Sequence, residues 1–553
     1  MDIASEGKTG VRHNIKVLRL VFVGFGLSGA AALIYEVVWT RCLSTIMGSS
    51  TYAVSTMLAA FMTGLSIGGW LGAVLAPRLK RLGLAFALCE MGIGVAGLVT
   101  IPVIMALTPL YMKTFYSFHL SFSSFSVVQF VIIFLIMGVP TTLMGMTFPF
   151  VVKLFSAEGQ DVGRQAGLLY GINTFGAIIG STVAGFLLIP RIGVNGTAVV
   201  AASLNIFTAL VILILSRDVK KIIAVVTVLL VLVPFSSLTA TPFFPFFSYY
   251  NACLFGDYEM AYDVYKRISD QANSKVIYHN EGVDGDVALI EYSLHQPDTM
   301  LALTNNGKRE FGDDKGFALL AYLPFFSHGG GGAEKVLNIG LGSGNTLAHL
   351  SRFPVQHIDS VELSEGILDV NRRFLKPDLF DDPRINHVRA DGRNYLLMSP
   401  GKYDLIVASP SWAVESASAG LLTDEFFSLA SQRLADDGVM AVWVDFFLMT
   451  HDDLEIVART FSRNFKHAVA WYVEGDFIIL VGSPTPFKLA PQALVQNIGT
   501  SFPYLQDKFS VAMAEEQINA LLPGEINTDD RPIIEFRNAQ HIINWRSEDE
   551  EKM

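Results

Sequence analysis

Charge is scarce in this chain of 553 residues: Asp, Glu, Lys and Arg together make up 16%. A soluble globular protein carries about a quarter, so the scarcity argues against one large water-soluble fold. Cysteine is almost missing. Cys42, Cys89 and Cys253 are far apart, which excludes a disulfide framework, and no metal-binding spacing is visible. Basic residues are outnumbered, 40 Lys and Arg against 51 Asp and Glu, for a net charge of −11. A nucleic-acid surface needs clustered Lys and Arg, so that partner is excluded. A cleavable signal is excluded as well, because the first apolar run is followed by further ones.

Apolar residues, by contrast, are plentiful at 51%. Seven long apolar segments fill the first 240 residues, at roughly 18–39, 52–76, 84–108, 126–148, 166–189, 195–215 and 222–240. A crossing helix needs about 20 mostly apolar residues. So many such runs in succession predict an α-helical membrane bundle of about seven spans over residues 1–240, with membrane lipids as partners. Short connections make neighbouring helices antiparallel. Gly64, Gly68, Gly69 and Gly72, then Gly171, Gly176, Gly180 and Gly185, supply the small surfaces on which helices associate in lipid.

Orientation follows from Lys and Arg. Lys8, Arg12, Lys16 and Arg19 precede the first span, Arg78, Lys80 and Arg81 follow the second, Lys153 and Arg164 the fourth, and Arg217, Lys220 and Lys221 the sixth. The alternate loops hold only Arg41, Lys113 and Arg191. The bias predicts a multi-pass inner (plasma) membrane protein with a cytoplasmic N-terminus. Seven crossings then place the C-terminal domain outside the cytoplasm, an awkward location for a site that takes a cytosolic nucleoside. Ionisable groups within spans usually face the bundle interior. Glu36, Arg41 and Glu90 therefore form a candidate polar membrane site. It reads either as a Glu–Arg pair that fixes packing or as a polar cavity for a headgroup, an amine or a proton.

Residues 241–330 read as a linker and a small β-rich segment. Turn chemistry at Glu281-Gly-Val-Asp-Gly-Asp286 and Asn305-Asn-Gly307 marks a hairpin region. Residues 331–553 read as α/β, a doubly wound, Rossmann-like sheet of the methyltransferase type. A buried strand over 336–339 runs into Gly340-Leu-Gly342-Ser343-Gly344, a loop whose glycines allow a tight turn and close approach to a ligand. The next strand ends at Glu362, about 20 residues on, a spacing that suits a carboxylate on ribose hydroxyls. A third ends at Asp391-Gly392, where an acid meets an adenine amine, and a fourth covers 403–408. These residues in this order predict a nucleoside site; the alternative is a doubly wound domain with an empty one.

With Leu33-Ile-Tyr-Glu-Val-Val-Trp-Thr-Arg41, Pro140-Thr-Thr-Leu-Met-Gly-Met-Thr-Phe-Pro149, Asp391-Gly-Arg-Asn-Tyr-Leu396, Leu422-Thr-Asp-Glu-Phe426 and Thr528-Asp-Asp-Arg-Pro-Ile-Ile-Glu535 added, the chain resembles the fused membrane proteins of the spermidine-synthase-like family. The resemblance implies polyamine biosynthesis, with an aminopropyl group passing from decarboxylated S-adenosylmethionine to an amine. It also implies that Glu362 holds the ribose and Asp391 the adenine. The acceptor half departs from the family pattern. Ser409 stands where the family has an Asp after the fourth strand, Ser343 stands where it has an Asp in the glycine loop, and the polar Tyr-His-Glu aligns with the apolar stretch around Leu319, Leu320 and Ala321. Serine is a poor base unless activated. Glu415, Asp445, Asp284 and Asp286 are candidate substitutes, and Ser409, Glu415 and Asp445 form the catalytic set. Asp529, Asp530 and Glu535 match the family but suit a structural lock equally well.

The leading expectation is a membrane-integral transferase that uses S-adenosylmethionine or its decarboxylated form, with an amine or a membrane-associated molecule as acceptor. The alternative is a transporter or ligand sensor whose α/β domain binds a nucleoside without chemistry, and a third reading is a decayed scaffold. Homo-oligomerisation is left open.

Overall fold

The computed structural model describes residues 3–48, 50–117, 121–156, 161–215, positions 259, 262 and 266, and 274–549 apart from 296–297, 307, 311–313, 411–415, 446–448 and 475–476. The chain divides into two units, with the change near residue 249.

The N-terminal unit is helical: α1 (Ile3–Met47), α2 (Thr51–Leu75), α3 (Leu82–Ser117), α4 (Phe122–Phe155), α5 (Val162–Val183) and α6 (Ile189–Leu215). Among the described residues, five helical stretches are long and apolar enough to cross a membrane: Leu18–Met47, Thr51–Arg78, Leu82–Ile104, Phe122–Phe155 and Val162–Ile214. The expected count of seven is not confirmed by these five stretches. The fifth and sixth expected spans lie in one stretch of 53 residues, broken by a π-turn at Ala184–Leu188 and by Gly193 (φ 71°, ψ 176°) and not by a loop. The seventh, 222–240, falls outside the described residues. The first span runs past its expected end at residue 39, because nothing breaks the helix before Gly48, whose φ is 88°.

Small residues set two tight seams. A Cβ added at Gly176 of α5 would fall 1.9 Å from the Gly26 carbonyl oxygen of α1, and one at Gly180 would fall 2.2 Å from that of Ala30. Between α2 and α4, a Cβ at Gly68 would fall 2.0 Å from the Thr142 oxygen, and one at Gly145 would fall 2.2 Å from that of Leu65. Gly69, Gly171 and Gly185 face open space. Large apolar side chains such as Leu135, Val139, Phe186 and Phe207 are exposed.

The C-terminal unit opens with an antiparallel sheet of four strands, β1 (Ser274–Glu281), β2 (Asp286–His295), β3 (Asp298–Asn305) and β4 (Lys308–Arg309), in that order. The eight-stranded sheet that follows contains β5 (Lys335–Ile339), β6 (His357–Glu362), β7 (Ile385–Arg389), β8 (Tyr403–Ala408), β9 (Leu434–Val444), β10 (His467–Val473), β11 (Phe477–Ser483) and β12 (Phe509–Met513). Its order is β12-β10-β11-β9-β8-β5-β6-β7. Strands β5 to β9 pair in parallel, and β10 to β12 extend the sheet antiparallel beyond β9.

Strand periodicity sends alternate residues to opposite faces, and both faces are covered. Leu405 and Val407 of β8 join Leu319, Leu323 and Phe325 of the helix Asp314–Ser327 on one side. Ile406 and Ala408 join Phe426 and Phe427 of the helix Asp424–Arg433, and Leu454 and Phe461 of the helix His451–Ser462, on the other. A parallel sheet buried in this way needs apolar runs rather than alternation, and β8 and β9 have them.

Candidate active site

Chain order turns around at β5. From it the chain steps through β6 and β7 on one side, then returns to β8 and β9 on the other. Ligands of open α/β sheets bind at such a switch point, outside the carboxyl ends of the strands. The glycine loop follows β5, Glu362 ends β6, Asp391 follows β7, Ser409 follows β8 and Asp445 follows β9. The topology therefore brings the predicted residues to one sheet edge.

The loop is held in left-handed geometry, with φ of 87° at Gly340, 51° at Gly342 and 77° at Gly344. At Gly340 a second constraint applies, since a Cβ there would lie 2.8 Å from the Ser409 carbonyl oxygen. Glu362 ties the loop to its own strand. The Leu341 N–H donates to Oε2 and the Ser364 N–H to Oε1, each at 2.8 Å. Two carboxylate oxygens carry about four acceptor positions, so capacity remains for ribose hydroxyls. Burial raises the Glu362 pKa above the ordinary carboxylate value; backbone N–H groups of Ser364, Leu341 and Gly342 pull it down, and the nearby Asp284 charge pushes it up. Ser343, between the last two glycines, is buried.

Asp391 caps the helix Gly392–Met398, its Oδ1 accepting the Asn394 N–H at 2.8 Å. Gly392 is required by space, since a Cβ there would fall 2.3 Å from Ile339 Cγ2. One residue on, Arg393 forms a two-pronged ion pair with Asp529, and its hydrogen bonds hold the Asp529 carboxyl below the usual carboxylate range. Through Asp529, the Thr528–Glu535 motif is thus tied to the segment that follows Asp391. Asp530 stays on the surface and Glu535 is buried.

On the acceptor side, the Ser409 N–H donates to Ile339 O at 2.9 Å, and among the described residues no base hydrogen-bonds its Oγ. Glu415 lies outside the described residues. Asp445 is buried and accepts the Trp443 Nε1–H at 2.8 Å. The Trp443 ring stacks on Phe317 (5.7 Å, 18°) and meets Phe477 at 4.6 Å. Leu319, Leu320 and Ala321 are fully buried in the core. Asp284 accepts the Glu365 N–H at 3.2 Å, with Arg389 at 3.6 Å. Asp286 is engaged by His279 at 2.7 Å within the hairpin.

In the N-terminal unit, Glu36, Arg41 and Glu90 do not assemble into one site. Arg41 Nε and Nη2 are buried without a partner, so the expected Glu36–Arg41 pair does not form, and Glu90 bonds instead to Ser28 and Asn205. An arginine held five residues further along the same helix points away from its glutamate, since only residues three or four apart face each other.

Two asparagines were not anticipated from the sequence. Asn338 Nδ2 donates to Gly340 O at 2.9 Å, and Asn371 Nδ2 donates to Gly342 O at 2.8 Å and Ile367 O at 2.9 Å. Both are fully buried and brace the loop from below. Their signal was a lone amide inside an apolar strand and another in an apolar helix face.

Residues 318–474 match the Spermine/spermidine synthase domain family. The chain is similar to the polyamine aminopropyltransferase of Ruegeria sp., with 29% identity over 175 residues, 30% of this chain and 61% of that protein. Matches of this kind span roughly half the length of such relatives, as with the Sodalis glossinidius protein, 31% identical over 52% of its length. The polyamine aminopropyltransferase of Corynebacterium efficiens is 23% identical over 470 residues, 80% of each chain. A solved spermidine synthase in complex with the transition-state analogue AdoDATO aligns over 45% of this chain and 85% of its own, at 21% identity and a TM-score of 0.36. The C-terminal part of this chain is a spermidine synthase domain, and several apolar helices consistent with a fused membrane domain precede it.

Proposed function

We propose that the chain is a membrane-integral aminopropyltransferase-like enzyme that takes decarboxylated S-adenosylmethionine as donor and an amine with an apolar body, free or membrane-associated, as acceptor. The observation that carries the reading is Glu362, pinned by two backbone N–H groups across the glycine loop at the switch point, with acceptor capacity left for a ribose. Asp391 serves the adenine end. In the reaction the acceptor nitrogen attacks the methylene carbon beside the sulfonium. The C–S bond breaks with its electron pair on sulfur, methylthioadenosine leaves, and the nitrogen gives up a proton.

Among the described residues no base bonds to Ser409, in the place of the family's aspartate, so Asp445 is the group to take that proton. Its surroundings support an acceptor with an apolar body: Phe317, Trp443 and Phe477 form an aromatic wall beside the carboxylate. An amine lying along that wall gains cation–π attraction until it is deprotonated.

Full-length protein incubated with decarboxylated S-adenosylmethionine and a panel of mono- and diamines of rising apolar length should release methylthioadenosine. Glu362→Ala should abolish donor binding, and Asp445→Asn should lower turnover while donor binding persists. Turnover with S-adenosylmethionine alone would reassign the reaction to methyl transfer. That no base among the described residues bonds to the Ser409 hydroxyl also favours a second reading, a ligand sensor or transporter with a non-catalytic nucleoside domain. Donor binding with no product from any amine would select it.

A further inference from the structure

On the proposed reading the donor lies along the strand ends, with its adenine at Asp391 after β7 and its ribose at Glu362, the last residue of β6. The next strand in the sheet is β5, with its glycine loop. A donor laid out in this direction brings its sulfonium, and the propyl chain beyond it, over Gly340–Gly344. That chain ends in an ammonium, and a cation drawn out of water needs an opposite charge. The loop itself supplies none, since only Leu341 and Ser343 stand between its glycines.

An acid from the small sheet reaches this loop. Glu310 follows β4, and its N–H donates to Leu303 O of β3 at 2.9 Å, which continues the register that sets Thr304 opposite Arg309. Its Oε2 lies 4.0 Å from the position a Cβ would take on Gly342. Among the described residues no other atom outside the loop's own neighbours comes as near to that position. Gly342 therefore leaves a space above the loop, and the Glu310 carboxylate borders it. The polar groups of Gly342 are turned elsewhere, its N–H toward Glu362 and its carbonyl to Asn371 Nδ2 at 2.8 Å. One loop residue thus separates the carboxylate assigned to the ribose from a second carboxylate. The other acids of this edge are placed differently. Asp445 follows β9, two strands away from β5, and Asp284 is engaged by the Glu365 N–H and Arg389. Glu310 keeps part of its surface in water, so burial does not force its carboxyl into the neutral form.

We infer, resting on the proposed function, that Glu310 is the residue that selects the decarboxylated donor. Its carboxylate receives the ammonium at the end of the propyl chain and repels the α-carboxylate that S-adenosylmethionine carries beside that ammonium. The two donors share the adenosine, the sulfonium, the methyl group and the ammonium. Attraction to the ammonium alone cannot separate them, and only a negative charge close to the chain end can. Like charges a few ångströms apart repel strongly where water is partly excluded. Methylthioadenosine has neither an ammonium nor an α-carboxylate, so its binding does not depend on Glu310.

The test is calorimetric titration of the full-length protein in detergent with decarboxylated S-adenosylmethionine, S-adenosylmethionine and methylthioadenosine. The wild type should bind the decarboxylated donor more tightly than S-adenosylmethionine by about tenfold or more, the scale of a close charge pair. In Glu310→Gln that preference should collapse to about threefold or less, while the Kd of methylthioadenosine stays within about twofold. A wild type that binds both donors alike overturns the inference, as does a preference unchanged in the variant. So does an equal loss of all three ligands, which would make Glu310 a support of the loop and nothing more. Should Glu310→Gln fail to fold, Glu310→Asp decides, because it keeps the charge but draws it back by one methylene. The preference should then shrink with methylthioadenosine binding intact, and an unchanged preference overturns the inference. No methylthioadenosine binding to the wild type overturns the nucleoside reading itself, whereas methylthioadenosine binding with an unmoved preference overturns only the selection by Glu310.

Discussion

Exchanging Glu362 for glutamine places an amide donor where the backbone already presents two. The N–H groups of Leu341 and Ser364 each point at a Glu362 oxygen from 2.8 Å. Glutamine offers one oxygen, so one N–H must face an NH2 group and goes unpaired, at a cost of about 1–3 kcal/mol that falls on the loop itself. A ribose hydroxyl loses a charged acceptor as well, about 1.5–3 kcal/mol for each bond. One lost ribose bond with a partly displaced loop comes to about 3 kcal/mol, or roughly 100-fold in Kd at about 1.4 kcal/mol per decade. Calorimetric titration of the full-length protein with methylthioadenosine, which cannot react, reads this directly. A variant that keeps its Tm and binds within about threefold of wild type would refute the placement of the ribose on Glu362. The pH dependence gives a second check. The Glu362 pKa lies above the ordinary glutamate value, with burial as the main cause, and only the ionised form accepts from two hydroxyls. Affinity should therefore fall on acidification through that raised value. Stability of the free protein moves the other way: a raised folded-state pKa contributes stability below the ordinary value that is lost as pH rises through the folded one. Affinity and stability should thus cross in opposite directions over one pH window, and parallel changes would point to another group.

Gly340→Ala combines a left-handed residue, costing about 1–2 kcal/mol, with a Cβ 2.8 Å from the Ser409 oxygen; a clear fall in Tm and loss of methylthioadenosine binding are expected, and an unchanged Tm would contradict the loop geometry. Tyr403→Phe removes the 2.9 Å bond to the buried Asp359, worth about 1.5–3 kcal/mol to a charged acceptor. Burial pushes Asp359 up, but bonds from Asn386, His357 and Tyr403 together hold it below the usual aspartate value. Its stabilisation is present above that usual value and is lost as pH falls through the folded one, so the penalty of Tyr403→Phe should shrink in strong acid; a penalty independent of pH would refute the assignment. Reporter fusions test orientation: the charge bias with seven crossings predicts an active alkaline phosphatase and a dark fluorescent protein at the C-terminus, and a bright fluorescent protein would remove the seventh crossing.

The residues legible in the sequence were those whose role is carried by backbone geometry close to them in the chain. Three glycines with positive φ, an acid at the end of the next strand and Asp391-Gly392 occupy fixed places relative to strand ends, and a strand end is visible as the point where an apolar run stops. The braces Asn338 and Asn371 were not legible, because their partners are carbonyl groups whose positions depend on the loop's three-dimensional path. Gly180, Gly68 and Gly145 illustrate the same limit in the helices: composition marked small residues, but which of them meets a neighbouring carbonyl depends on helix rotation, and Gly69, one position from Gly68, faces open space.

The join between the fifth and sixth expected spans was not legible for a related reason. Pro190 and Arg191 read as a loop between two crossings, yet proline at the second position of a helix loses no bond that the helix needs, and the chain bends at Gly193 instead. Glu90 also depends on this geometry. In sequence it is one acid early in an apolar run, with a structural role the simpler reading. Its surroundings become visible only when α1 and α6 bring Ser28 and Asn205 to its two oxygens.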